Sequence, residues 1–110
     1  MGRGRLTEEE AGALLAERSS AWVLQEHRWI VRKYRFGAFK DSIAFVNGVA
    51  EAAEALDHHP LIAVDYKLVT LRLTSWHAGG LTLLDFTAAA RFDEAYRPWE
   101  KAPAGGATEQ

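Results

Sequence analysis

The sequence predicts an α+β two-layer sandwich: a four-stranded antiparallel sheet with three helices on one face, in the order α-β-β-α-β-β-α. Three observations predict it. Residues 22–36 and 61–76 each hold two runs rich in aromatic, β-branched and Leu residues, read as a pair of strands apiece. Helical patterns precede, separate and follow these pairs, which is the arrangement of a sheet with helices gathered on one side. The length, 110 residues with 48% apolar and 25% charged side chains, suits one core, assigned to residues 1–98.

The first helix is expected to start at Glu8. Thr7 is a good N-cap, Glu10 completes a capping box, and Glu8, Glu9 and Glu10 lie at the positive end of the helix dipole. Ala11, Leu14 and Leu15 form its apolar stripe, and Ser19-Ser20 ends the pattern. Trp22 to Gln25 and Trp29 to Phe36, separated by Glu26-His27-Arg28, read as a hairpin. Ile30, Tyr34 and Phe36 share the inward parity, with Lys33 and Arg35 facing out.

From about Asp41 to Asp57 the apolar residues Phe45, Val49, Ala52 and Leu56 recur at helical spacing, with Val46 and Ala53 beside them. Glu54 stands one turn before His58, within reach if the helix extends that far, and Pro60 forbids much continuation. Leu61 to Tyr66 and Leu68 to Trp76 are the last two strands, the second with Val69, Leu71 and Leu73 on one face. After Gly79-Gly80, the start at Thr82-Leu83-Leu84-Asp85 resembles another capping box and opens a helix to about Tyr96. From Lys101 on the residues are small and polar without periodicity, and residues 99–110 are expected to form a disordered tail.

Charge and composition narrow the function. Thirteen Lys and Arg against fifteen Asp and Glu give a net charge of −2, which disfavours bulk electrostatic capture of nucleic acid. The absence of cysteine removes thiolate chemistry, disulfides and cysteine-based metal sites. No apolar run spans a bilayer, and Met1 to Arg5 lacks the apolar stretch of a signal peptide, so the expectation is a cytoplasmic protein without a membrane partner. An open sheet face and two sheet edges point to a homo-oligomer, a dimer or a tetramer.

Candidate chemistry centres on Glu54-Ala-Leu-Asp57-His58-His59-Pro60. Imidazole both gives and takes a proton near neutrality, so a His pair beside two acids is a possible acid/base site. The competing structural reading is a polar cap on a helix C-terminus. A metal site from His58, His59 and His77 with Glu54, Asp57 or Asp85 is disfavoured, because adjacent side chains diverge and the usual ligand spacings are missing. Trp22 and Trp29 read as core or interface residues. Trp76, beside the Gly-Gly break, is placed to line a pocket.

Taken together, Phe39-Lys40-Asp41, Ala44-Phe45, Val49-Ala50, Ala53-Glu54, Leu56 to Pro60, Tyr66, Leu81-Thr82 and Asp85 resemble the pterin-4a-carbinolamine dehydratases over roughly Leu6 to Tyr96. The family signature maps onto Glu54, His58-His59-Pro60, Tyr66, Trp76 and Asp85, with Trp76 where many members carry a third histidine. The resemblance implies loss of water from a 4a-hydroxytetrahydropterin, giving the quinonoid dihydropterin, with no cofactor and no metal. It assigns acid/base work jointly to His58 and His59. Glu54, Asp57, Thr74, Ser75, Trp76, His77 and Asp85 are then expected to line the pterin. It also leaves open a member that has become a non-catalytic interaction or assembly protein.

Overall fold

The structure is a computed structural model that describes residues 4–18 and 21–100. Its order is α1 (Glu8–Glu17), β1 (Val23–Gln25), β2 (Trp29–Arg35), α2 (Phe39–Leu56), β3 (Leu61–Asp65), β4 (Leu68–Leu73) and α3 (Leu83–Tyr96). Short 3-10 turns occupy Trp76–Ala78 and Arg97–Trp99. The α+β class and the order of elements follow the sequence expectation.

Both capping boxes form. The Thr7 hydroxyl accepts from the Glu10 amide at 3.0 Å and the Glu10 carboxylate accepts from the Thr7 amide at 2.8 Å. At α3 the Asp85 carboxylate accepts from the Thr82 amide at 2.9 Å, satisfying one of the donors that a helix start leaves open. The expected end of α1 at Ser19-Ser20 lies outside the described residues.

The four strands pair antiparallel in the order β1-β2-β4-β3. Two hairpins therefore join through β2 and β4, with Ile30 opposite Leu73 and Tyr34 opposite Val69. Ile30, Tyr34, Val69, Leu71 and Leu73 point into the helix layer and are fully buried, where Phe45 and Val49 of α2 and Phe86 and Phe92 of α3 meet them. Tyr34 is the centre of this core. Its ring packs at 4.5 Å from Phe45 and 4.9 Å from Tyr96, and its hydroxyl donates to Asp93 at 2.7 Å. Burial, and then the Asp93 carboxylate beside it, push the Tyr34 hydroxyl well above the usual phenol range, so it remains a donor.

Asp93 also accepts from Trp22 Nε1 at 3.1 Å and from Arg32 Nη1 at 2.8 Å. Arg32 shares the inward parity of Ile30 and Tyr34, and this carboxylate is what lets a cation sit there.

Two boundaries differ from expectation. β4 stops at Leu73 rather than Trp76, because Ser75 bridges to Gly80 and the intervening residues coil into a 3-10 turn closed by Gly79 at φ 73°, a left-handed conformation that favours glycine. Trp99, assigned to the tail, packs on the core with its ring 5.6 Å from Phe36. Residues 101–110 of that tail lie outside the described residues.

Candidate active site

The site begins with the way α2 ends. Asp57 adopts a left-handed conformation at φ 54°, its amide donates to the Glu54 carbonyl at 3.2 Å, and the His58 amide donates to the Ala53 carbonyl at 3.0 Å. This is a Schellman closure with Asp in the position usually held by Gly, followed by Pro60 three residues on. The reversal sends the two adjacent histidines to different partners.

His58 turns inward. It is 8% exposed, and its Nε2 lies 2.6 Å from Oδ1 of Asp85, which is completely buried. The other oxygen, Oδ2, accepts from the Ser75 hydroxyl at 2.8 Å and from the Thr82 amide at 2.9 Å. Ser75 Oγ is also 2.9 Å from Thr82 Oγ1. A buried carboxylate with three donors is well satisfied, and it cannot swing away from the imidazole it holds.

His59 turns outward. Its Nε2 lies 2.7 Å from Oε2 of Glu54, and the two side chains are 54% and 77% exposed. Glu54 was expected to meet His58 along a continuing helix. Because the helix ends at Leu56 and the chain reverses at Asp57, it meets His59 instead. In both pairs the carboxylate is an acceptor only, so Nε2 carries the hydrogen and Nδ1 is the nitrogen left to exchange a proton with a ligand.

The remaining expected residues surround this pair unevenly. Asp57 is exposed at the helix end. Thr74 and Ser75 are buried, and the Thr74 hydroxyl donates to the Arg28 carbonyl at 2.6 Å, so their side chains brace the loop. Trp76 is 72% exposed, with its ring edge on Trp29 at 5.2 Å. His77 sits exposed on the same 3-10 turn, beside Trp76.

Asp85 lies behind His58 with no exposed surface, as its anchor. Thr82 was not among the expected site residues, although its capping role was readable. Its link to the site comes through Asp85. Among the described residues, no group of three or more His, Asp or Glu is arranged to hold a metal ion. A cavity of about 880 Å³ lined by Trp22, Arg32, Phe86 and Asp93, among others, includes none of the expected site residues.

A sandwich of this topology with a paired-histidine site defines a class, and comparison with known proteins supplies the family. A family profile described as pterin 4 alpha carbinolamine dehydratase matches residues 4–95. A protein of Chloroflexus aggregans, provisionally named pterin-4-alpha-carbinolamine dehydratase, is 47% identical over 90 residues, which is 82% of this chain and 95% of that protein. The chain belongs to the pterin-4a-carbinolamine dehydratase family.

Among solved structures, a transcriptional coactivator/pterin dehydratase from Brucella melitensis superposes with a TM-score of 0.75 at 32% identity, covering 83% of this chain and 97% of that one. A pterin dehydratase-like protein described as a RuBisCO assembly factor in the alpha-carboxysome shares the fold, with a TM-score of 0.59 at 23% identity, covering 68% of this chain and 88% of that one.

Proposed function

We propose that this protein dehydrates a 4a-hydroxytetrahydropterin, the species left when a hydroxylase uses a tetrahydropterin as reductant. The C4a–O bond breaks as the hydroxyl takes a proton and leaves as water. The N5 proton goes to a base, and the electron pair of that N–H bond becomes the C4a=N5 double bond of the quinonoid dihydropterin. One proton donor and one acceptor suffice, and no redox step occurs.

The observation that carries this reading is the pair of neighbouring imidazoles, each tied through Nε2 to its own carboxylate. Such tethering fixes tautomer and orientation before a substrate arrives. His58 and His59 share the acid/base work. Asp85, Ser75 and Thr82 hold His58, while Glu54 holds His59. Asp57, Thr74, Trp76 and His77 border the place where the ring would lie.

The same reading makes the protein a cytoplasmic homo-oligomer. Strand β3 is a sheet edge with every residue exposed, including Leu61, Ile62 and Val64, and Phe39 and Ile43 of α2 are exposed as well. Joining edges with a second copy would cover them. Among the described residues no helix is long and apolar enough to cross a membrane.

The test is turnover of enzymatically generated carbinolamine. His58→Ala and His59→Ala are each expected to lower the rate by ~10²-fold or more while the fold persists. Near-native rates in both variants would overturn the site and favour an interaction or assembly role.

A further inference from the structure

The open face of the sheet, opposite the helices, carries Val23, Gln25, Trp29, Val31, Lys33 and Arg35 from the first hairpin. Leu61, Ala63, Asp65, Thr70 and Arg72 stand on it from the second. Its charges are three cations, Lys33, Arg35 and Arg72, against Asp65, in a chain whose net charge is −2. At the end nearest the histidines, three of these features meet. Trp76 rises from its turn with 72% of its surface exposed and sets its ring edge against Trp29. The Arg72 guanidinium lies over Trp29, 5.4 Å from the ring centroid.

Chain continuity, with one hydrogen-bond relay and one strand pairing, leads from this group to the histidine pair on two sides. On one side Trp76 follows Ser75, whose hydroxyl bonds the carboxylate that holds His58. On the other, His59 and Pro60 lead into Leu61, which is the cross-strand partner of Arg72. The two tryptophans and the arginine therefore border the same end of the sheet as the histidines.

We propose that Trp29, Trp76 and Arg72 form a subsite for a flat, anionic substituent carried by the pterin ring, such as an aryl carboxylate, in preference to a short neutral polyol. The proposal rests on the pterin reading of the histidine site and adds a selectivity that reading does not contain. An exposed indole braced edge-on by a second indole offers a rigid face on which an aryl ring can stack. Arg72 supplies the anion partner. Its Nη2 donates to Gln25 Oε1 at 2.8 Å, and no carboxylate pairs with it among the described residues. Lys33, opposite Thr70 on the same face, adds positive potential. A neutral polyol would use neither the stacking face nor the charge.

The experiment compares two stable ligands with the same ring, 7,8-dihydrobiopterin, whose substituent is a short neutral diol, and 7,8-dihydrofolate, whose substituent is an aryl amide bearing carboxylates. Dissociation constants are measured by titration calorimetry. In the unaltered protein dihydrofolate is expected to bind about tenfold or more tightly, as charge-assisted contacts imply. Arg72→Gln and Trp29→Ala should each bring the ratio of the two constants to within about threefold, with folding checked by circular dichroism. Raising salt to ~0.3 M should shrink the ratio in the unaltered protein.

If the two ligands bind the unaltered protein equally, the subsite is wrong while the pterin reading stands. A large ratio that survives Arg72→Gln in a folded variant also overturns it. If neither ligand binds, the pterin reading fails and the subsite with it.

Discussion

Replacing Asp85 by Asn tests the most tightly constructed part of the site with almost no change of shape. The native carboxylate receives three donors, from His58 Nε2, Ser75 Oγ and the Thr82 amide, inside a volume with no exposed surface. An amide offers one carbonyl oxygen and an NH2 group. If the oxygen keeps Ser75 and Thr82, the NH2 faces His58 Nε2 across a gap of 2.6 Å, where two donors cannot coexist. His58 must then move its hydrogen to Nδ1, so the nitrogen assigned to proton exchange becomes the wrong tautomer.

The loss of a buried, charge-assisted bond costs about 1.5–3 kcal/mol. At ~4–8 °C per kcal/mol for a domain of this size, the midpoint of thermal unfolding should fall by roughly 6–24 °C. Turnover should drop by ~10²-fold or more. Circular dichroism on heating gives the first quantity, carbinolamine decay the second, and nitrogen-15 spectra of the imidazole report the tautomer directly. A midpoint within about 3 °C of the native one, together with an unaltered His58 tautomer, would refute the reasoning.

Three further outcomes follow from the geometry. Tyr34 has its hydroxyl held above its unfolded value of 10.0 by burial and by Asp93, so the folded state retains a proton that the unfolded chain releases. That contribution is intact below about pH 10 and declines as pH rises further, by up to ~1.4 kcal/mol per unit, and Tyr34→Phe should flatten this slope in denaturant titrations at high pH. Light scattering at tens of micromolar should give a mass above one chain, and Ile62→Lys on the exposed edge strand should reduce it; a strictly monomeric native protein would contradict the oligomer. Because C4a is a stereocentre and the indole of Trp76 cannot serve as a general acid, one carbinolamine epimer should decay much faster than the other in single turnovers. Trp76→His should narrow that gap, and equal native rates would end the argument.

What was legible in the sequence was what lies within a few residues along the chain. Both capping boxes, the apolar face of α2 and the inward parity of Ile30 and Tyr34 were readable, because helix caps and side-chain periodicity are local properties. The resemblance in the histidine segment pointed to the site. Its wiring was not readable. Asp85 reaches His58 across 27 residues, and Glu54 meets His59 only because Asp57 reverses the chain. The end of β4 was misplaced because Ser75 and Trp76 continue the strand composition, while the bridge to Gly80 overrides it. Asp93 reads as one more charge on a solvated helix. The clue to its role was Arg32 on the core parity, a cation that needs a partner.

That partner has a consequence for when the molecule can fold during synthesis. Asp93 stands 71, 61 and 59 residues after Trp22, Arg32 and Tyr34, the donors it satisfies. Until residue 93 has left the ribosome, the first hairpin holds a guanidinium, a phenol and an indole facing a half-made interior with no carboxylate to receive them. The cost of closing so long a loop must be met before the contact rewards it, so the hairpin should remain open or only loosely paired on the nascent chain. The exposed aromatic surface of that intermediate is what a chaperone would find, and a stalled chain ending before residue 93 should be more prone to aggregation or proteolysis than one ending just after it.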